Sequence, residues 1–263
     1  MSPASRARGG QAGAGPIAIR PIRIRRLGPT AYADALERMR RFTADRIAGA
    51  RQDDEIWLTE HPPVYTLGFA GRQEHVREPA GIPVVTTERG GQVTYHGPGQ
   101  AVAYLMLDLR ARGIGVRELV CRVEAGLIDC LAGYGIHAFR RDGAPGIFVA
   151  RPPPVGVAAG VTAQEAALES ARADQGGRPG RAPDLTDVAK IASIGLKVSR
   201  GFTWHGVALN GAMDLEPFER IDPCGYAGLR MTDVRSEAPS DTPVALDDLA
   251  DRLGSALARA IGG

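Results

Sequence analysis

Hydrophobic and polar positions alternate along this chain with two different periods. Ile17, Ile19, Ile22 and Ile24 repeat every two or three residues among polar neighbours, which predicts a strand over 17–27. From 30 to 50, Ala, Leu, Met, Phe and Ile fall at helical spacing, with Thr30 placed to cap the helix. Short apolar runs predict strands at 56–60, 64–67 and 84–87, the first two joined by a turn at His61-Pro62-Pro63. A glycine-rich loop is expected over 88–100 and a buried strand over 101–107. The strongest helical signal is 115–134, where Val116, Leu119, Val120, Val123, Leu127 and Leu131 form one stripe. Strands are expected at 147–149, 189–198 and 201–210, a short helix start at 214–219 and an amphipathic helix at 243–261. There is no internal repeat and no regular β-α-β alternation. The pattern therefore predicts an α/β (α+β) fold, a mixed sheet flanked by helices.

Two stretches interrupt this pattern. Residues 151–187 contain Pro152-Pro153-Pro154, an Ala-rich helical stretch at 163–173, and then Gly176, Gly177, Gly180 and Pro183. They read as an inserted, partly mobile segment within a single domain spanning 17–263. Residues 1–16 read as a disordered Gly/Ala-rich tail. The first acid is Asp34, preceded by Arg6, Arg8, Arg20, Arg23, Arg25 and Arg26, a composition that a transit peptide would share. The strand signal beginning at Ile17 favours the tail.

A formal net charge of +2 gives no sign of a nucleic-acid binder, and 44% apolar with 24% charged residues is ordinary for a globular protein. No apolar run approaches the roughly 18 residues that a bilayer span needs. The three cysteines, Cys121, Cys130 and Cys224, include no Cys-x-x-Cys pair, so neither a disulfide framework nor a structural zinc site is expected, and a reducing, cytoplasmic setting is. Cys121 and Cys130, nine residues apart on one helix, are both expected as small core residues. Of 32 basic residues only Lys190 and Lys197 are lysines. Arg stays protonated at any usable pH, whereas a Lys amine can give up its proton, so a retained Lys is a candidate for chemistry.

Three clusters carry candidate chemistry. Arg89-Gly90-Gly91-Gln92-Val93-Thr94-Tyr95-His96-Gly97-Pro98-Gly99-Gln100 has glycines that let backbone N–H groups approach a ligand. It lacks the Gly-Lys-Ser/Thr of a phosphate loop, and a tight surface turn is the structural alternative. Lys190-Ile191-Ala192-Ser193-Ile194-Gly195 places a Lys at the start of an apolar strand, where it is either partly buried or snorkels to water. Pro223-Cys224-Gly225 puts a thiol on a turn, within reach of a substrate, and a nearby cation would favour its nucleophilic thiolate. His205 and Asn210 raise a Cys-His-Asn alternative, but both precede the Cys without any papain-like signature, and His205 reads better as a structural histidine.

Taken together with Phe202-Thr203-Trp204-His205-Gly206-Val207-Ala208-Leu209-Asn210, these motifs resemble the lipoyl(octanoyl) transferases over about residues 20–260, outside 151–187. The resemblance implies a catalytic domain like that of biotin and lipoate protein ligases. It implies octanoyl transfer from octanoyl-acyl carrier protein to a lysine of lipoyl domains, in 2-oxoacid dehydrogenase complexes and glycine cleavage H protein. It further implies that Cys224 carries the acyl thioester and Lys190 activates it. Arg89, Gly90, Gly91, Gln92, Val93, Thr94, Tyr95, His96, Ser193, Ile194, Gly195, Gly206, Val207 and Ala208 would contact the acyl substrate. No cofactor, metal, nucleic acid or membrane is expected, and a monomer is. An ATP-dependent ligase of the same fold and a non-catalytic acyl-binding module are the alternatives; the Gly-Arg-Gly-Arg-x-Gly loop typical of biotin ligases is absent.

Overall fold

The computed structural model describes residues 21–151 and 185–262; the side chain of Cys224 lies outside that description. The expected tail at 1–16 and helical stretch at 163–173 also lie outside it. The strands are β1 (Ile22–Pro29), β2 (Asp54–Glu60), β3 (Val64–Leu67), β4 (Val84–Thr86), β5 (Val93–His96), β6 (Gln100–Met106), β7 (Ala138–Arg141), β8 (Ala144–Ala150), β9 (Val188–Ser199), β10 (Phe202–Asn210) and β11 (Arg230–Met231). The long helices are α1 (Tyr32–Ile47), α2 (Val116–Ala132) and α3 (Leu246–Gly262). Among the described residues, the main sheet runs β1-β2-β6-β10-β9-β8-β7 with β11 added to β9, and a small sheet runs β4-β3-β5. The β1–β2 and β11–β9 pairs are parallel and the other main-sheet pairs antiparallel, so the sheet is mixed.

Strand alternation divides the core between the two faces of this sheet. In β6, Ala101, Ala103 and Leu105 face α2 and α3, while Val102, Tyr104 and Met106 pack with α1 residues Leu36, Met39 and Phe42. The small sheet has its own core, with Tyr65, Leu67, Val93 and Tyr95 packed on Phe218 and Ile221. Among the described residues, no helix is long and apolar enough to cross a membrane.

Several expectations need correction. The stretch 88–100 is not all loop, because β5 forms within it and pairs with β3. Thr30 does not cap α1; Ala31 holds the N-cap position, and the Thr30 hydroxyl donates to Gly28 O at 3.0 Å. β7 and β11 have no counterpart in the apolar pattern. Cys130 is buried, but Cys121 is exposed. At about 100° per residue, nine positions turn a side chain to the opposite face, so burying one of this pair exposes the other. Val116 is exposed as well.

β8 and β9 are antiparallel neighbours, and their junction closes where Arg151 N donates to Asp187 O at 2.8 Å. Lys190 therefore lies three residues inside a hairpin.

Buried charge ties α1 to the sheet. Asp54 accepts from Arg112 Nε at 2.6 Å, from Arg46 Nη2 at 2.5 Å and from Asp108 N at 2.8 Å, and all three charged side chains are almost fully buried. Removing the carboxylate leaves two guanidiniums in the interior without their anion. Asp54→Ala should lower unfolding stability by about 3–5 kcal/mol, measured by denaturant titration.

Candidate active site

Between the main sheet and β5 lies a cavity that opens to solvent. Its walls are mostly apolar, as those of small-ligand sites are. Arg89, Gly91, Gln92, Val93, Thr94 and His96 line one side; Ser193, Ile194, Gly195, Gly206, Val207 and Ala208 line another. Residues far apart in sequence meet here because β10 pairs with both β6 and β9. Ala208 sits opposite Val102 and Ser193, and Gly206 opposite Tyr104 and Gly195. Gly90 and Tyr95 do not line the cavity. Gly90 N donates to Leu196 O at 2.9 Å, which fixes the loop on β9, and the Tyr95 ring turns into the small-sheet core against Tyr65 and Phe218.

Tyr32, Val102, Tyr104 and His205 also line the cavity. Apart from the reading of His205 as structural, nothing in the sequence marks them, since Tyr32 opens a helix and the other two belong to an ordinary apolar strand. Arg89 is buried, and its guanidinium donates to Thr66 O at 2.6 Å, Thr66 Oγ1 at 2.9 Å and Gln92 O at 2.8 Å. It holds the loop in shape from within.

Three buried histidines surround this space, and their hydrogen bonds fix two tautomers. His61 Nδ1 donates to Thr30 O at 2.6 Å, so Nε2 accepts from the Tyr104 hydroxyl at 2.7 Å. His96 Nδ1 donates to Gln100 Oε1 at 2.7 Å, leaving Nε2 to accept from the Thr66 hydroxyl at 3.3 Å. His205 stacks on Trp204 with ring centroids 4.6 Å apart, and its Nε2 lies 3.5 Å from Thr87 Oγ1. It holds a left-handed backbone, φ +60°, inside β10. Burial lowers all three imidazoles. It takes His96 down to about 3, helped by His61, and His205 to about 3, helped by Arg89; for His61 too, burial is the main cause. The histidines of the cavity wall are therefore uncharged at neutral pH. His205 and Asn210 sit five residues apart on one strand, roughly 16 Å, too far to form a His-Asn dyad. Asn210 is instead committed to Gln100 and to Thr232 O.

Lys190 is fully buried. Its Nζ donates to Pro145 O at 2.6 Å and stands 5.6 Å from the Phe148 ring centre. Gly146 permits this: its φ is +131°, and any Cβ there would strike Lys190 Cε and Nζ. The Cys224 backbone lies in a single 3-10 turn, Pro223–Gly225, in which Gly225 N donates to Asp222 O at 2.8 Å. Two observations place this turn. A Cβ on Gly225 would overlap the carboxamide of Gln92, so the turn abuts the cavity wall. The Tyr226 hydroxyl donates to Gly143 O at 3.2 Å, on the same β7–β8 hairpin that Lys190 bonds through Pro145. The chain then enters β11, where Met231 pairs with Lys190 and Thr232 N donates to Lys190 O at 3.0 Å. Among the described residues there is no cluster of His, Cys, Asp and Glu able to hold a metal ion.

The cavity wall at Gln92 abuts the backbone turn at Cys224, and that turn leads into the strand paired with Lys190. Residues 31–258 match the model of the lipoyl protein ligase A/B catalytic domain. The octanoyltransferase of Pseudomonas entomophila is 48% identical over 236 residues, covering 90% of each chain. That of Methylibium petroleiphilum is 49% identical over 238 residues, 89% of this chain and 97% of its own. The chain belongs to the lipoyl protein ligase A/B family and, within it, to the octanoyltransferases; it is an acyltransferase. Solved structures agree on the fold. The bipartite lipoate protein ligase of Thermoplasma acidophilum superposes with a TM-score of 0.59 at 13% identity, over 92% of this chain and 84% of its own. Lipoate-protein ligase A bound with ATP does so with 0.52 at 14% identity, over 91% and 85%.

The depressed histidines couple stability to pH. In the folded state His96 and His205 stay neutral down to about 3, whereas in the unfolded chain they take up protons near 6.5. The unfolded state thus binds more protons in this window, so stability is full above 6.5 and is lost as pH falls towards 3. His205→Asn, which tolerates the left-handed backbone, should flatten the fall in melting temperature below 6.5. An unchanged slope in that variant would argue against a buried neutral His205.

Proposed function

We propose that this protein transfers an octanoyl group from octanoyl-acyl carrier protein to a lysine of lipoyl domains, through a thioester on Cys224. The observation that carries the reading is the juxtaposition of the Cys224 turn, the buried Lys190 and the apolar cavity, with β11 and the β7–β8 hairpin linking the first two. Family membership supplies the acyl group and the acceptor class.

In the first step the Cys224 thiolate attacks the thioester carbonyl of the donor. A new S–C bond forms at Cys224, the carrier's S–C bond breaks, and the carrier sulfur leaves as a thiol after taking a proton. In the second step the acceptor lysine amine attacks the Cys224 thioester; an amide forms, and Cys224 takes back its proton. Lys190 supplies positive charge beside the sulfur and moves these protons. Thioester exchange is close to thermoneutral, so the first step needs no nucleotide. Backbone N–H groups of the loop at 89–92 are the candidate donors to the oxyanion. Carrier proteins of this kind are acidic. Arg77, Arg151 and Arg230 border a groove beside the Cys224 turn and suit such a donor. Lipoyl domains of 2-oxoacid dehydrogenase complexes and glycine cleavage H protein are the acceptors in this reading, and the reducing cytoplasm keeps the thiol free.

Incubation with octanoyl-acyl carrier protein, without ATP, should give an acyl adduct on the wild-type protein by mass spectrometry. Cys224→Ser should abolish that adduct; an undiminished mass shift in the variant refutes the assignment. Lys190→Arg keeps the charge but not a mobile proton or the fit beside Gly146, and should lower kcat by about 10²–10⁴ in a lipoyl-domain assay. Transfer that appears only with ATP would favour the adenylating alternative.

A further inference from the structure

The cavity has a direction. Its half-exposed end is Gln92 and the β9 residues Ser193, Ile194 and Gly195; its buried end is Val102 and Tyr104 on β6, roofed by Tyr32. From β9 across β10 to β6 is two strand spacings, about 10 Å. An extended eight-carbon acyl chain has seven C–C steps of about 1.3 Å, or about 9 Å, and each further pair of carbons adds about 2.5 Å. A chain of eight carbons entering at β9 therefore ends against β6.

We infer that Tyr104 is the end wall of this cavity and sets the longest acyl chain that the enzyme accepts. This rests on the acyl-transfer reading above. The Tyr104 ring is buried and meets Gly206 across the strand pair, so no side chain opposite it fills the space before it. Its hydroxyl donates to His61 Nε2 at 2.7 Å, and His61 is itself held by Thr30 O at 2.6 Å, so the ring cannot swing aside to admit a longer chain. Tyr32 closes the same end, stacked on His96 at 5.8 Å with its hydroxyl on Thr87 Oγ1 at 3.2 Å. A wall pinned from behind by a neutral histidine is rigid yet carries no charge. A hydrophobic pocket discriminates by about 10- to 200-fold per methylene when its end is fixed, and far less when it yields.

The test compares kcat/KM for acyl carrier thioesters of six to twelve carbons with a lipoyl-domain acceptor. The wild type should fall at least about 10-fold from the octanoyl to the decanoyl donor. Tyr104→Ala should bring the decanoyl-to-octanoyl ratio close to one. Tyr104→Phe keeps the ring but removes its anchor on His61, and should give a decanoyl-to-octanoyl ratio between those of the wild type and Tyr104→Ala. Ala208→Val narrows the cavity between the two ends and should shift preference towards hexanoyl, an opposite change that stays readable if Tyr104→Ala fails to fold. A wild type that uses decanoyl and dodecanoyl donors as well as octanoyl overturns the inference. So does a folded Tyr104→Ala with the wild-type ratio, or, where that variant does not fold, an Ala208→Val with the wild-type preference. A wild type that transfers no acyl chain at all overturns the acyl-transfer reading, and the end wall falls with it.

Discussion

β10 leaves β9 after the pair Leu209–Ala192, and the first residues of β9 would then carry one edge of unpaired backbone in the interior. β11 takes that edge: Arg230 pairs with Ala189, Met231 with Lys190, and Thr232 N donates to Lys190 O at 3.0 Å. A buried backbone group left without a partner costs about 1–3 kcal/mol, so this two-residue strand is more than decoration. Its main effect is on position. The chain that arrives at Arg230 has just left the Pro223–Gly225 turn, so completing the sheet also delivers Cys224 to the strand that bears Lys190. Asn210, the last residue of β10, extends the same junction. Its Nδ2 donates to Thr232 O at 2.8 Å, and its Oδ1 accepts from Gln100, which in turn accepts from His96. One hydrogen-bonded line thus runs from the cavity wall to the backbone of Lys190.

The cavity wall shows how polar side chains can build an apolar site. Histidines and tyrosines surround it, and His61, His96, Tyr32 and Tyr104 direct their polar atoms to the protein behind them. Burial keeps His61, His96 and His205 neutral and the Tyr32 and Tyr104 phenols protonated. What reaches the interior is ring surface. A wall of aliphatic residues would be as apolar but free to change rotamer; hydrogen bonds of 2.6 to 2.7 Å at His61 and His96 orient these rings, which gives the space a fixed shape.

Much of this was legible in the chain and some was not, for reasons of range. The stretches at 89–96, 193–195 and 206–208 stand out because each is a contiguous motif; their convergence follows from β10 lying between β6 and β9, which no local pattern encodes. Longer buried strands, such as β6 and β10, were readable within a residue or so at each end. β7 and β11 were not: half of β7 is arginine, so it shows no apolar run, and β11 has only two residues and forms only because β9 offers it an edge. Tyr104 and His61 escaped notice for a related reason. Alternation tells that Val102 and Tyr104 share a face, but not which face, and His61 gains its meaning only from Thr30 and Tyr104, 31 and 43 residues away. Gly146 likewise needs the Lys190 side chain beside it before its positive φ has a purpose.

The two lysines separate on the same grounds. In a chain with 30 arginines, composition alone treats Lys190 and Lys197 alike. They lie seven residues apart on β9, and a register shift just after Lys190 reverses the alternation, so both face away from the α2–α3 core and only their surroundings distinguish them. Lys197 is half-exposed, with its Nζ 6.0 Å from the ring centre of the exposed Phe69, a setting in which Arg would serve as well. Lys190 is enclosed by Phe148, the carbonyl of Pro145 and the bare backbone of Gly146. A planar guanidinium needs more room than this corner offers, and its five donors could not all find partners there. Packing around the Pro145 carbonyl and Gly146 therefore selects a lysine at position 190, and the proposed chemistry asks for a lysine at that same position.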